Sequence, residues 1–195
     1  NTNDLVMGTH GRGVIIIDDI SPLREINDTN LSNKLYFFER DEFEIQEFGG
    51  FADNFGRETQ FIGANSSLSC QIQYLLPRRH TFGKMTMEIQ DMDGNKLTTL
   101  NPGKTKGINT VEWNYNMRTP KIAKGKTLSF GGFTSPTVPA GKYKVVIKKG
   151  RDTFEKTINV NYKNNAGLNE DDRKFQHETV MKLFNMTEEL AYMVY

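Results

Sequence analysis

The sequence predicts a mainly β chain: an antiparallel two-sheet β-sandwich with an N-terminal β-hairpin extension and a C-terminal α-helix. Apolar and polar residues alternate in successive segments between residues 68 and 162, the period-two signature of half-buried strands. Gly-rich punctuation divides two short apolar runs near the start, as in a hairpin. Beyond residue 169 the apolar spacing changes to three and four, which is helical. With 195 residues, 13 Phe, 7 Tyr and 8 Met, the chain has material for one good-sized core with appendages.

The hairpin is carried by Asp4-Leu5-Val6-Met7-Gly8-Thr9-His10-Gly11-Arg12-Gly13-Val14-Ile15-Ile16-Ile17-Asp18-Asp19. Its second run is strongly β-branched, which favours a strand. Ser21 and Pro22 follow as an expected N-cap and first helical position of one short turn. Residues 27–60 read as a connector strapped across a surface: a polar break at Asn27-Asp28-Thr29-Asn30, a short strand at Leu35-Tyr36-Phe37-Phe38, then an aromatic Gly-rich loop.

Regular strands come next. Leu68, Cys70, Ile72, Tyr74 and Leu76 share one face, as do Met85, Met87 and Ile89. Asp93-Gly94 marks a hairpin turn into Leu97 and Leu100. Val111, Trp113 and Tyr115 form a third face, Tyr143, Val145 and Ile147 a fourth, and Phe154, Ile158, Val160 and Tyr162 a fifth. Such short strands argue for a sandwich. Between Met117 and Pro139 runs a long Lys-, Gly- and Thr-rich loop, of a length that points to function or mobility. Asn169 is the expected N-cap of the last helix, with Asp171 and Asp172 placed to suit its dipole. Phe175, Thr179, Leu183, Met186 and Leu190 form its apolar stripe, expected to pack on the sandwich, with an upstream domain or a further helix as the next choices.

Bulk numbers exclude some functions. Lys and Arg total 25 against 24 Asp and Glu, so no basic excess points to nucleic acid. Cys70 is the sole cysteine, which rules out an internal disulfide. No run reaches the roughly 18 apolar residues of a membrane-spanning helix. The opening Asn1-Thr2-Asn3-Asp4 begins in mid-motif and reads as a piece of something longer.

Each constellation with chemical potential has a plainer reading. Asp18 and Asp19, or Glu112 beside Trp113, would need a sugar-sized separation of about 5–9 Å to act as a glycosidase pair. Asp18-Asp19 is instead expected to end a strand and support a turn. Asp91-Met92-Asp93-Gly94 lacks the Gly and Glu an EF-hand requires at its sixth and twelfth positions, where Lys96 and Pro102 stand. Gly8 through Gly13 precede a strand, whereas a dinucleotide fingerprint opens a helix. His10, His80 and His177 are scattered, so no metal or cofactor is expected. Cys70 sits on a core face and reads as a buried small hydrophobe. Trp113 and Tyr115 alternate like core. Phe130 and Phe133 flank Gly131-Gly132 in the long loop and, with Arg118 and Lys121, are the candidate ligand or partner residues.

Two stretches resemble a known family. The opening Gly8-Thr9-His10-Gly11-Arg12-Gly13 with its strand, followed by Asp18-Asp19-Ile20 and Pro22-Leu23-Arg24, resembles the last blade of bacterial sortilin-type (BNR-like) β-propeller proteins. Ala64-Asn65, the strand at 68–76, Met87-Glu88-Ile89-Gln90-Asp91-Met92-Asp93-Gly94, Gly107-Ile108-Asn109, Trp113-Asn114 and Pro139-Ala140-Gly141-Lys142-Tyr143 resemble the immunoglobulin-like domain that follows such propellers. That domain is itself similar to the module of flagellar hook-capping proteins. Ser66-Ser67 stand where the family has a Pro pair. The resemblance implies a final propeller hairpin at 1–26, a connector at 27–60, an immunoglobulin-like sandwich at 61–163, a helix at 164–195 and export from the cell. It implies no catalytic residue, because glycosidase-like labels in that family follow the propeller fold rather than chemistry in this region.

The expected role is therefore that of a non-catalytic accessory domain bracing its own upstream propeller or mediating a protein interaction. The alternative is a carbohydrate-binding module acting through residues 118–138. An exposed aromatic strip on one sheet would favour glycan binding, and a large apolar patch near residues 1–26 and 169–195 the structural role. Val14, Ile15, Ile16 and Ile17, as an uncovered edge, are further expected to offer a homodimer contact.

Overall fold

The structure is a computed structural model that describes residues 3–11, 13–17, 19–45, 69–122, 135–163 and 169–193. It is mainly β. A two-stranded hairpin, β1 (Leu5–Thr9) and β2 (Gly13–Ile17), opens the chain, followed by two single-turn helices, α1 (Ser21–Glu25) and α2 (Asp28–Ser32). The strands β3 (Tyr36–Phe37), β4 (Glu42–Ile45), β5 (Cys70–Leu76), β6 (Met85–Gln90), β7 (Lys96–Leu100), β8 (Gly107–Trp113), β9 (Gly141–Lys149) and β10 (Asp152–Tyr162) build two sheets, and α3 (Glu170–Met193) closes the described chain.

The larger sheet has the order β4-β10-β9-β6-β7 and the smaller β3-β5-β8. Alternation decides which side of each strand turns inward: in β6, Met85, Met87 and Ile89 are buried while Thr86, Glu88 and Gln90 stay half-buried. One core joins Phe43, Ile158, Val145 and Met87 of the larger sheet to Ile72, Tyr74, Val111 and Trp113 of the smaller. Trp113 lies 5.5 Å from Tyr115 and 5.7 Å from Tyr143, ring centre to ring centre, at tilted and edge-on angles that suit aromatic quadrupoles. Asn109 is the one buried polar residue among the described residues. Its amide oxygen accepts from the backbone N–H and hydroxyl of Thr105, and its amide nitrogen donates to Thr105 O and Gly107 O.

The β6–β7 connection follows the expected turn. Gly94 takes φ +86, and the Asp91 carboxylate accepts from the backbone and side chain of Asn95 at 2.8 and 2.9 Å. Four details differ from the sequence expectation. The strand expected at Leu35–Phe38 is present as β3, but it pairs with β5, and the connector supplies a further strand, β4, which pairs with β10, so both join the sheets rather than strap across them. The β4 to β10 ladder is parallel, in an otherwise antiparallel pair of sheets. Strands so distant in sequence need no tight hairpin, so either direction is open to them. Ser21 does not cap α1; the Asp19 carboxylate accepts from Ser21 N instead. The break at residue 27 is a helix start, with Asn27 Oδ1 accepting from Asn30 N at 2.9 Å.

Burial pushes the Cys70 thiol up to about 12, so in the folded chain it is protonated and closed to reagents. As the only cysteine it reports on global opening. Thiol labelling at pH 8 is expected to be absent without denaturant and complete in urea. Trp113→Ala, which empties the centre of the core, is expected to lower the midpoint of labelling in urea, corresponding to a loss of about 3–5 kcal/mol of stability.

Candidate functional site

The site begins where β8 ends. Tyr115 takes a left-handed backbone, φ +58, which a bulky residue adopts only when its surroundings hold it there. Four contacts do so. Trp113 Nε1 donates to Asn116 O at 2.9 Å, and Val138 N donates to Tyr115 O at 2.8 Å. Met117 N donates to Pro136 O at 2.8 Å, and the Tyr115 hydroxyl reaches across to Glu44 O at 3.1 Å. Arg118 N then donates to Leu97 O, on the edge of the larger sheet.

This corner aims two of the predicted loop residues at α3. Arg118 Nη2 donates to Glu188 Oε2 at 2.9 Å, and its guanidinium lies 4.9 Å from the centre of the Phe184 ring. Lys121 N donates to Glu188 Oε1 at 2.9 Å, while its ammonium donates to the Tyr192 hydroxyl at 3.1 Å. Arg118 and Lys121 are thus the clasp that holds the helix. Phe130 and Phe133 lie outside the described residues.

The helix begins as expected, with Asp172 N donating to Asn169 Oδ1 at 2.8 Å and three acidic residues in its first turn. Its seating differs. Phe184 and Ala191 are buried, and Arg173, His177, Met181, Thr187 and Glu188 are half-buried. The expected stripe lies on the opposite side: Phe175 is 72% exposed, Leu183 58%, Met186 49% and Leu190 62%. At about 100° per residue the two faces are roughly 150° apart. The inward side carries its own apolar anchors, Phe184 and Ala191, beside the charged contact. Glu188 meets Arg118 and Lys121 only if the helix turns its charged side inward, and the apolar stripe then faces out. At the other end the Arg173 guanidinium sits 3.8 Å from the Tyr162 ring centre, a cation–π contact on the same inward side.

The hairpin is the second uncovered element. Val6, Val14 and Ile16 lie on one side at 60–67% exposure, and Leu5, Met7, Ile15 and Ile17 on the other are exposed as well. At its base Ile20 N donates to Asn3 O, Asn3 Nδ2 to Ser21 Oγ, and Asp19 N to Asp4 Oδ1. Asp19 also stands 3.5 Å from Arg40. Its carboxylate therefore supports the turn; Asp18 is outside the described residues. Glu25 reinforces the seam by accepting from the Tyr36 hydroxyl and Glu39 N.

An open cleft of about 1010 Å³ runs between α3 and the β4 and β10 end of the sheet, with Glu44, Lys174, His177 and Glu178 among its walls. Its carboxylates and cations are mixed, a lining that favours no one sign of ligand. Among the described residues no three His, Cys, Asp or Glu side chains converge on a metal-sized point. The Gly-rich segment at 8–13 leads into β2, a strand. Trp113 and Tyr115 are buried, so neither offers a stacking surface. No described helix is long and apolar enough to cross a membrane. No family model, curated protein or solved structure matches the chain.

The clasp predicts its own pH dependence. Hydrogen bonds from Arg118 and from the Lys121 backbone pull the Glu188 carboxyl from 4.5 down to about 2. A lowered carboxyl adds stability that is fully present above the unfolded value and is lost as the pH falls through the folded one. Protection of the α3 amides, measured against the free-chain exchange rate at each pH, is therefore expected to fall between about pH 4.5 and 2. Glu188→Gln is expected to remove that acid step and to weaken docking by about 1 kcal/mol, a modest figure because Arg118 is 46% exposed.

Proposed function

We propose that this chain is a non-catalytic accessory module that braces a β-propeller lying upstream in the same exported protein, with the β1–β2 hairpin completing the last blade. One observation carries the reading: a two-stranded sheet whose two faces are both apolar and both exposed. A hairpin that covers a core needs one apolar face and keeps the other wet, and its sequence alternates. Val14-Ile15-Ile16-Ile17 does not alternate, so burial is called for on both sides. A propeller blade provides that setting, because each blade is sandwiched between two neighbours. The resemblance of Gly8 through Gly13 and the Asp-Ile-x-Pro segment to a closing blade agrees with it, as does the resemblance of the sandwich to an immunoglobulin-like domain.

Pairing of β2 with a second copy is the weaker use of the hairpin. It would lengthen the sheet yet leave both apolar faces in water. The carbohydrate-binding alternative is weaker too, since Arg118 and Lys121 are engaged with α3. The deciding experiment is capture of this chain by the separately expressed upstream part of its parent protein. Ile16→Lys, on one face, and Ile15→Lys, on the other, are each expected to abolish capture. Tolerance of a lysine on either face would overturn the blade reading. Retention on a polysaccharide panel, lost in Phe130→Ala and Phe133→Ala, would put glycan binding in its place.

A further inference from the structure

The outward face of α3 bears a heptad seam: Thr179, Leu183, Met186, Leu190 and Met193 recur at alternating intervals of four and three, all exposed. Phe175 and Val180 widen it. The helix needs none of these residues to bind its own domain, which it does on the opposite side through Glu188, Tyr192, Arg173 and Phe184. Over 24 residues it is about 36 Å long, enough for three heptads to meet a partner helix.

Charge selects the partner and its direction. Lys182 and Glu189 flank the seam on the same edge, both are exposed, and neither is ion-paired among the described residues. In an antiparallel pair of identical helices centred between Leu183 and Met186, residues of that edge face each other across the seam. Lys182 of each copy then meets Glu189 of the other, giving two ion pairs related by the two-fold axis. Leu183 stacks on Met186 of the other copy, and Leu190 covers Thr179. A parallel pair sets Lys182 against Thr187 and forms neither ion pair. We propose that the exposed face of α3 is a self-association surface, in which two copies of this chain pack their last helices antiparallel.

The surface is separate from the hairpin and independent of the role given to it above. One helix pair is a small interface, so dissociation in the range of about 10–100 µM is expected. Sedimentation equilibrium of the whole chain from 1 to 500 µM is expected to show the 22.3 kDa mass doubling. Lys182→Glu or Glu189→Lys alone creates two like-charge contacts by symmetry and is expected to weaken the dimer about tenfold. The combined Lys182→Glu and Glu189→Lys chain restores both pairs, and with them the wild-type affinity. Leu183→Glu is expected to leave only monomer. Helical circular dichroism is measured in parallel for every variant, so a lost helix is distinguishable from a lost contact. A monomer at every concentration would overturn the proposal and assign the face to another occupant. So would a dimer unchanged by the single reversals but lost in Ile16→Lys, which would place self-association on the hairpin.

Discussion

The structure turns on a corner that L-residues resist. Tyr115 occupies a left-handed backbone conformation that costs a bulky side chain about 1–2 kcal/mol. It is held there because its ring is buried beside Trp113 and its carbonyl and hydroxyl are both occupied. Burial raises its phenol to about 12, so the hydroxyl stays a donor to Glu44 O over all ordinary pH. The turn takes the chain from the edge of the smaller sheet to the edge of the larger, and it delivers Arg118 to Leu97 and Glu188 together. Sheet closure, the position of β4 and the rotation of α3 share that one residue.

Much of this was legible in the sequence. Alternation found β5, β6, β8, β9 and β10, because half-burial writes a period of two wherever one face is wet. Asp93-Gly94 marked its turn by the φ only glycine tolerates cheaply, and Asn169 marked the helix start by the donors it caps. Glu42-Phe43-Glu44-Ile45 also alternates, but over four residues, too few to stand out from a connector before its partner β10 is known. Tyr115 continues the face of Val111 and Trp113 in sequence, and nothing in its spacing shows that the strand has already ended.

The helix shows where pattern reading fails. An apolar stripe says that burial is favourable, not where the burial takes place. Which way a helix turns on its own domain depends on what the domain offers it, and here that is a seat for Phe184 and Ala191 beside a bidentate guanidinium–carboxylate contact reinforced by a backbone N–H. Arg118 and Glu188 are 70 positions apart, so no local window holds both. Arg118 and Lys121, two of the four residues singled out in the loop, belong to that clasp for the same reason: a basic residue in a long loop looks free until its acid is found.

The two uncovered surfaces differ in kind, and the difference bears on what each can meet. The hairpin is apolar on both faces and carries no charge among its described strand residues, so it can enter only a site already shaped to enclose it, without a charge to select orientation. The face of α3 is a stripe bounded by Lys182 and Glu189, which admits a partner helix and sets its direction. Meanwhile the sandwich core, with Trp113, Tyr74, Met87 and Val145 at its centre, includes no residue of either element. Apolar residues that the core does not use cost solubility and add nothing to the stability of the isolated chain. Their presence on a hairpin and on one side of a helix is best accounted for by contacts beyond the domain, one enclosing and one paired.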